Sequence, residues 1–432
     1  MQVSIANPLL RTPLALIVDD SCPVINLTYH WIRQRQAWKA RFQPNAPFNP
    51  GDGDPARLHL VPPTIPADFA VKWGEWCAEQ GVKGKFSLVP FPAGVARVDQ
   101  GLPGFPRDEV ERWMRAYREV ICPNFDITCE MLTHSHVVDL RTWQLTDEWE
   151  QYEWVDPPVA PLTEYIATSM RLVRDAGLPC EGVTSPGAFG AKKEAAYARA
   201  TLEAAQQVTG NPRPFYFLRV VDPPDAWPDA PIWHAEPERG IAIASIVCCT
   251  HDWFGGWTGY DAGDPDRFLT EDLQGGVLAP VLARELPCVM VGHWPGFYYG
   301  GAEVGFDVLK EVKRRLDAYD PDGSKTRWMK TSAIGHYWMA RQLSEVRSEP
   351  LADGGQRVAV TTRFPTRDFT LWLDQPCAQV ALNRQPLRQV YSRRALAEGA
   401  FLVEGSRTAV AFDLPEGETK LTTAPAANPR AA

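Results

Sequence analysis

LALIVDD, at residues 14–20, places an unbroken apolar run directly before two acids, Asp19 and Asp20. Consecutive aliphatic residues are typical of a parallel strand buried on both faces, and the first polar groups after such a strand lie at a rim that a ligand can reach. A second apolar stretch ends further along the chain in LTHSH, at residues 132–136. Acids and imidazoles at strand ends are the side chains from which a barrel builds a metal-dependent hydrolytic site.

Alternating strands and helices surround these two segments and extend to about residue 344. Hydrophobic patterning predicts strands at 14–18, 84–90, 125–132, 181–184, 215–221, 241–247 and 288–291. It predicts helices at 67–80, 107–120, 162–176, 192–208, 265–285, 303–318 and 331–344. Roughly seven βα repeats indicate an α/β protein with a distorted (β/α) TIM-like barrel over residues 1–344. The Pro/Gly/Asn-rich stretch 43–66 predicts a long loop, of the kind that often covers an active site.

The pattern changes after residue 344. Short apolar runs separated by turn residues predict a small antiparallel β-sandwich domain over residues 345–424. The Ala- and Pro-rich segment 425–432 is predicted to be a disordered tail.

The composition limits the partners and the environment of the chain. It has 432 residues, of which 45% are hydrophobic, and a formal net charge of -9. An acidic protein without a basic block is unsuited to nucleic acid, and no run reaches the ~18 apolar residues of a membrane span. The first residues lack a secretion signal, which predicts a cytoplasmic protein, and nine cysteines without a CxxC pair predict reduced core thiols. The expected partner is a small-molecule or oligosaccharide substrate. Assembly into a homo-oligomer is compatible with the sequence.

The order of the polar segments resembles that of the polysaccharide deacetylase (NodB-like) branch of the glycoside hydrolase/deacetylase barrels, with this chain as a divergent member. The resemblance covers roughly residues 10–340 and is carried by VDD at 18–20, THSH at 133–136, TSPGAFG at 184–190, HDW at 251–253 and VGHW at 291–294. It implies that Asp19 is the general base and His293 the general acid. It also implies that Asp20 and His134 bind a metal ion. Two motifs depart from the family pattern, because the histidines are two residues apart rather than four and the third motif lacks its arginine.

Spacing makes His136 a candidate for the second imidazole ligand. Residues i and i+2 of an extended segment point to the same face, so His134 and His136 can share one ion if the strand continues through them. With Asp20 they form a His-His-carboxylate set, which usually holds zinc or another first-row metal. In the alternative, one histidine binds the metal and the other hydrogen-bonds Asp139 or the backbone.

Aromatic and polar side chains near the motifs are candidates for substrate contact. They are Trp253, Trp257, Trp294, Tyr298, Lys85 and His251. Indole rings stack on planar ligands, a phenol donates a hydrogen bond, and the lysine can project from its strand into the barrel. Asp252 is a further catalytic candidate, with the capping of a turn as its structural alternative.

Three functions are compatible with these residues. The favoured one is a metal-dependent hydrolase that removes an acyl group from a sugar nitrogen or oxygen, with a divalent cation such as zinc. The first alternative is a glycoside hydrolase, in which the same acids, with Asp252 added, cleave a glycosidic bond as a carboxylate pair. The second is an inactive barrel that binds sugar through its tryptophans. Asp19 and Asp20 also have a structural alternative as a turn or helix cap.

Overall fold

Seven parallel strands form the centre of the computed structural model, which describes residues 2–151, 154, 157–352 and 354–426. In chain order they are β1 Thr12–Asp19, β2 Gly84–Leu88, β3 Phe125–Glu130, β4 Gly182–Thr184, β5 Phe215–Val220, β6 Ile241–Cys248 and β7 Cys288–His293. Their order in the sheet is β7-β1-β2-β3-β4-β5-β6, which is the order that successive βαβ units give as they wind round a barrel. Each of the seven predicted strands is therefore present.

Strands β7 and β6 are the first and last strands of this order, and they lie next to each other in space. One backbone hydrogen bond of 2.9 Å joins Cys249 N to Val289 O just beyond β6. No continuous ladder pairs the two strands within the described ranges, and Ile232–Glu236 pairs antiparallel with the first half of β6 instead. The chain is thus a mixed α/β protein with a barrel-like strand order, and full closure of the barrel stays a prediction.

Strand β1 is the most enclosed of the set. All eight of its residues are buried, β7 and β2 flank it in parallel, and the short strand Thr326–Trp328 also pairs in parallel with its first residues. The register with β7 places His293 directly opposite Asp19. The aliphatic run at residues 14–18 therefore has the physical role that its composition predicts, and it delivers the acids to the carboxyl end of the sheet.

Helices cover the strands. Within the described ranges they are Leu27–Phe42, Ala67–Glu79, Arg107–Ala116, Val159–Asp175, Glu194–Thr209, Leu278–Ala283, Trp294–Tyr298, Val304–Tyr319 and Thr331–Leu343. The helix Leu27–Phe42 was not predicted, and the predicted helix 265–285 is helical mainly over its last third. Segment 43–66 is the predicted long loop, called the excursion below, and it contains two short 3-10 turns at Pro50–Asp52 and Pro55–Leu60.

A hairpin follows β3 before the next helix. Its strands, His136–Asp139 and Gln144–Trp149, pair antiparallel and were not predicted. The hairpin brings Glu150, the residue directly after its second strand, back to the end of β3.

Two five-stranded sheets are built mainly from residues after the barrel. One contains Glu345–Pro350, Gln356–Thr362, Gly417–Pro425, Cys377–Leu382 and Gln385–Pro386, and the other Val3–Ile5, Thr366–Leu373, Arg407–Leu414, Ala400–Glu404 and Arg388–Val390. Their apolar side chains share a core with Tyr337 of the last helix, whose ring centroid is 6.0 Å from that of Phe369. Strand Val3–Ile5 pairs across the predicted domain boundary at residue 345. The predicted tail 425–432 lies outside the described residues beyond residue 426.

Two predictions concerned the state of the cysteines and the absence of membrane-spanning segments. All nine cysteines are free thiols, and eight of them are buried. Burial raises the pKa of Cys22 and Cys248 well above the usual range, which keeps these thiols protonated and unreactive. None of the described helices is long and apolar enough to cross a bilayer.

Candidate functional site

Asp20, Glu130 and His134 lie together at the carboxyl ends of β1 and β3. Asp20 follows β1 in a left-handed backbone conformation (φ 59°), which aspartate tolerates better than most residues. Glu130 is the last residue of β3, and His134, with φ 55°, lies in the turn beyond it. One donor atom from each side chain lies within 4.8 Å of the other two. Two carboxylates and an imidazole are therefore assembled around one point.

His134 bridges the two carboxylates. Its Nε2 atom is 3.1 Å from Asp20 Oδ1 and 3.3 Å from Glu130 Oε1. Burial acts to lower the pKa of His134, but the negative charges of Asp20 and Glu130 outweigh burial and raise that pKa well above its usual range. Charge balance thus calls for a positive group between the carboxylates, either the imidazolium proton or a bound cation.

The Glu130 carboxylate is held rigidly. Its Oε2 atom accepts hydrogen bonds from the Asp20 backbone N–H (2.9 Å) and from the Ser87 hydroxyl (2.6 Å). Burial acts to raise the pKa of Glu130, but His134 overcomes this and, with Lys85, lowers the pKa to about 2. Glu130 is therefore an ionised group with a fixed orientation. Glu130 was not among the predicted ligands, although an acid at the end of β3, four residues before His134, is a usable signal in the sequence.

Glu150 fixes the turn that carries His134. Its Oε1 atom accepts hydrogen bonds from the Thr133 N–H (2.9 Å) and the Tyr165 hydroxyl (2.6 Å), and its Oε2 atom accepts one from the His134 N–H (2.6 Å). The side chain is buried, and burial raises its pKa to about 7. No local sequence pattern predicts the contacts of Glu150, because they depend on the hairpin that returns the chain to the turn at His134.

Asp19 points into the same interior and is paired with a lysine. The Lys85 ammonium donates to Asp19 Oδ1 and to the Thr184 hydroxyl, and its side chain is fully buried. Burial raises the pKa of Asp19 to about 6, against the lowering effect of Lys85. Lys85, predicted to contact substrate, is instead engaged in this ion pair.

His293 is a second imidazole at the site, held by Asp252. Asp252 Oδ2 lies 2.7 Å from His293 Nδ1 and also accepts the His293 backbone N–H at 3.2 Å. Burial acts to lower the pKa of His293, but Asp20 and Asp252 overcome it and raise the pKa to about 10. Because the carboxylate orients Nδ1, the other ring nitrogen, Nε2, is left as the group that can exchange a proton. Asp252 thus holds the His293 ring and backbone in place.

Two adjoining cavities give access to these groups. The first, of about 180 Å³, is lined by Asp20, Thr28, Trp31, Gly51, Gln151 and Trp257 among others. The second, of about 200 Å³, is lined by Asp19, Glu130, Ser185, Phe217, His251 and Asp252 among others. Both include His134, Gly187 and His293 in their walls, so they form one cleft at the carboxyl ends of the strands. Gly51 belongs to the predicted excursion 43–66, which therefore contributes to covering the cleft.

His136 lies outside the group of donors. The segment is not extended, because the chain turns at His134 and His136 begins the hairpin strand. The His136 ring packs on Trp149, with 4.4 Å between the ring centroids. Glu130 therefore stands where the sequence argument placed a second histidine.

Two of the six candidate substrate contacts line the cleft. Trp257 forms part of the first cavity and packs edge-on against Trp31, with ring centroids 5.1 Å apart. His251 lines the second cavity, and its Nε2 atom is 2.6 Å from Asp222 Oδ1. These residues form the aromatic and polar rim of the cleft.

Three aromatic candidates are placed elsewhere. Trp294 is fully buried, with its ring centroid 4.8 Å from that of Phe69, so it is a core residue rather than a stacking surface. Tyr298 packs on the same phenylalanine at 5.1 Å and lines neither cavity. Trp253 is covered by the Arg267 guanidinium, 4.4 Å above its ring. Glycine-flanked aromatics after β7 are compatible with ligand contact or with core packing. Here Trp294 is in the core, and the half-buried Tyr298 packs against that core.

Comparisons with known proteins leave the family open. No family model and no curated protein matches the chain. A solved structure of an endo-β1,6-glucanase is 8% identical, with 98% of this chain and 94% of that chain covered and a TM-score of 0.28. The catalytic domain of GH30 xylanase C from Talaromyces cellulolyticus is 9% identical over 98% and 99% of the two chains, with a TM-score of 0.26. A putative alpha-galactosidase/melibiase from Bacteroides fragilis is 11% identical over 96% and 79%, with a TM-score of 0.23. These TM-scores are too low to establish a shared fold or activity.

Proposed function

We propose that this chain is a hydrolase that acts on a carbohydrate-like substrate in the cleft described above. One observation carries the proposal: the carboxylates of Asp20 and Glu130 meet the imidazole of His134 in a cleft that also contains the separately oriented imidazole of His293. Such a site combines a concentrated negative charge with groups that can accept and donate protons. The favoured reaction is removal of an acyl group from a sugar nitrogen or oxygen.

The donor set fits a divalent metal ion. Two carboxylate oxygens and an imidazole nitrogen within 4.8 Å of one another are the mixed ligands that zinc and related first-row metals bind. Asp20, Glu130 and His134 would hold the ion, which would supply Lewis-acid polarisation of a carbonyl and acidification of water. The hydrogen bonds from Ser87 and from the Asp20 N–H to Glu130 are the outer contacts that orient a ligand.

Asp19 is suited to the role of general base. A pKa of about 6 leaves the carboxylate mostly ionised at neutral pH while keeping it basic enough to accept a proton from an attacking water. Lys85 holds the carboxylate in place from beneath and compensates its charge in the buried interior. The base and the metal-binding group thus occupy consecutive positions after β1.

His293 is suited to the role of general acid. Its raised pKa keeps the ring protonated at neutral pH, and Asp252 fixes its orientation through Nδ1. The proton on Nε2 is then available to the nitrogen or oxygen of the sugar as the bond to the acyl group breaks. The paired strands β1 and β7 set the distance between acid and base through the register of His293 with Asp19.

A second candidate is glycoside hydrolysis. Asp19 and Glu130 line the same cavity, yet burial raises the pKa of Asp19 to about 6 while His134 helps to lower that of Glu130 to about 2. Two carboxyl groups with separated pKa values are the arrangement in which one donates a proton and the other stays ionised. In this candidate Asp19 protonates the leaving oxygen, and no metal is needed.

Metal content tests the ligand set directly. The purified protein would be analysed by mass spectrometry beside Glu130→Gln, His134→Ala and His136→Ala. We expect near-stoichiometric metal in the wild type and in His136→Ala, and its loss in the other two variants. His136→Ala is the matched control, because it removes an imidazole two residues away that lies outside the donor group. Retention of metal by Glu130→Gln with loss in His136→Ala would refute the set proposed here.

Turnover distinguishes the two reactions. Oligomers of N-acetylglucosamine and acetylated xylo-oligosaccharides would be assayed for acetate release, and nitrophenyl glycosides for release of nitrophenol, with and without a chelator. Acetate release that the chelator abolishes supports the deacetylase, and glycoside cleavage that survives chelation supports the second candidate. Sugar binding without turnover in either assay would point to the inactive barrel.

A further inference from the structure

A separate cleft lies where the barrel meets the sandwich. Its volume is about 650 Å³, within the range of about 300–1,000 Å³ typical of small-molecule sites. Its walls share no residue with the two cavities of the candidate site. Trp227, Arg284 and Trp338 come from the barrel side, whereas Trp372 and Arg407 come from the sheet that contains Val3–Ile5. The position at a junction between two layers is a common one for ligand sites.

Three arginines of this cleft are stacked on three tryptophans. The central guanidinium carbon lies over the indole ring at 3.9 Å for Arg284 and Trp227, at 4.2 Å for Arg407 and Trp372, and at 5.5 Å for Arg341 and Trp338. Stacking restrains a guanidinium without using its N–H edge, which stays available for bidentate hydrogen bonds to an oxyanion. The indoles therefore orient the cations rather than offer free faces to a ligand.

Direct acid contacts are lacking for these three arginines in the described part of the chain, although the charge of Arg407 helps Arg393 to lower the pKa of Glu404. Among the described residues none of the three forms an ion pair, whereas Arg393 in the same wall pairs with Glu404 at 2.7 Å. The two acids of the cleft have other partners in its walls: Asp229 accepts the Trp338 indole N–H at 2.7 Å, and Glu285 lies 3.7 Å from Arg393. The four arginines of the cleft outnumber these two acids. A patch of unpaired positive charge is notable in a chain of net charge -9.

We infer that this cleft binds a small ligand carrying two or more oxyanion groups. Carboxylate, sulfate and phosphate each present two oxygens at a spacing that the guanidinium fork of arginine can bind in a bidentate manner. Arg284 and Arg341 from the barrel hold one group, and Arg407 from the sandwich holds another. The ligand thereby connects the two layers. This inference does not rest on the proposed catalytic function.

Isothermal titration calorimetry tests the inference with defined probes. The probes are trigalacturonate for carboxylates, a disulfated disaccharide for sulfates, tripolyphosphate for phosphates and an uncharged trisaccharide as the neutral comparison. We expect at least one anionic probe to bind and the neutral one not to bind. Arg284→Gln and Arg407→Gln each weaken binding about tenfold, equivalent to about 1.4 kcal/mol. Arg388→Gln, at an exposed arginine of the same sheet outside the cleft, keeps the wild-type affinity.

Each outcome decides the matter. The probe that binds most tightly identifies the oxyanion, and dependence on both Arg284 and Arg407 supports the site. Absence of binding by all three anions at millimolar concentration overturns the inference, as does an equal loss of affinity in Arg388→Gln. Thermal unfolding checks that the variants are folded. If a glutamine variant is not, Arg→Lys at the same position replaces it, and we then expect a partial loss because the charge remains without the bidentate fork.

Discussion

Glu150→Gln is the substitution that most directly separates a positioning role from a structural one. Glu150 does not line either cavity, yet its carboxylate holds the backbone of the turn that presents His134. Glutamine has nearly the same shape, so the change alters hydrogen bonding rather than volume. We expect the variant to fold with reduced stability and with an impaired metal site.

The magnitude follows from the individual contacts. If the amide oxygen takes the Oε1 position, it keeps the hydrogen bonds from Thr133 and Tyr165, but the amide NH2 then faces the His134 N–H, which Oε2 accepted at 2.6 Å. A lost hydrogen bond to a charged group costs about 1.5–3 kcal/mol. The resulting shift of His134 is expected to weaken metal binding about 10–100-fold, as is typical when a group that orients a metal ligand is removed.

Stability and metal affinity would be measured together at about pH 8, where a carboxyl group with a pKa of about 7 is mostly ionised. Asp126→Asn is the matched control. Asp126 is also buried and accepts hydrogen bonds from Ser332 N (2.7 Å) and the Thr331 hydroxyl (3.0 Å), but it lies at the opposite end of β3. We expect Asp126→Asn to lose stability and to keep its metal affinity. If Glu150→Gln behaves in the same way, the reasoning about the turn is refuted.

Three further predictions concern other buried groups. Lys85→Met leaves Asp19 buried without its partner and should lower the free energy of unfolding by about 3–5 kcal/mol in denaturant titrations. Adding Asp19→Asn to this variant should recover part of the loss. If the losses of the two single variants simply add in the double variant, the ion pair is contradicted. Trp294→Ala should cost about 3–5 kcal/mol of stability because the ring is in the core, whereas Trp257→Ala should leave the unfolding midpoint nearly unchanged and weaken substrate affinity in a titration. Burial lowers the pKa of His336, so on acidification the unfolded chain takes up a proton before the native protein does, and the free energy of unfolding falls as pH drops through about 6.5. In His336→Gln this pH dependence of stability should be flatter. An unchanged slope would contradict the contribution of His336.

The parts of the fold that the sequence predicts are those whose burial is decided locally. Strand β1 is enclosed on both faces, so aliphatic residues suit it, and the aliphatic run at residues 14–18 can be recognised as a strand from the sequence. The helix Leu27–Phe42 is less legible because one of its inward positions is Arg35. That charge is tolerated there since Asp52, from the excursion that follows, pairs with it at 3.1 Å. A partner supplied by a distant loop cannot be read from helical periodicity.

The same limit applies to the site. Asp20 and His134 were predicted because each follows a strand, and the structure brings them to within 3.1 Å of each other. Glu130 was not among the predicted ligands, and whether Glu130 or His136 lies beside Asp20 and His134 depends on the backbone between them. The left-handed conformation at His134 reverses the expected direction of the next side chains, and Glu150 stabilises that conformation from beyond a hairpin. Such a turn is a tertiary effect that residue spacing does not encode.

The pairing of Val3–Ile5 with Thr366–Leu373 has a consequence for synthesis of the chain. The first strand leaves the ribosome about 360 residues before its partner, a delay of roughly 20–70 s at typical elongation rates of about 5–20 residues per second. During that time the strands of the barrel can pair with one another, while Val3–Ile5 remains an unprotected edge that other chains can join. Premature termination after the barrel would make that exposure permanent. The hazard ends only when the sheet that contains Thr366–Leu373 forms.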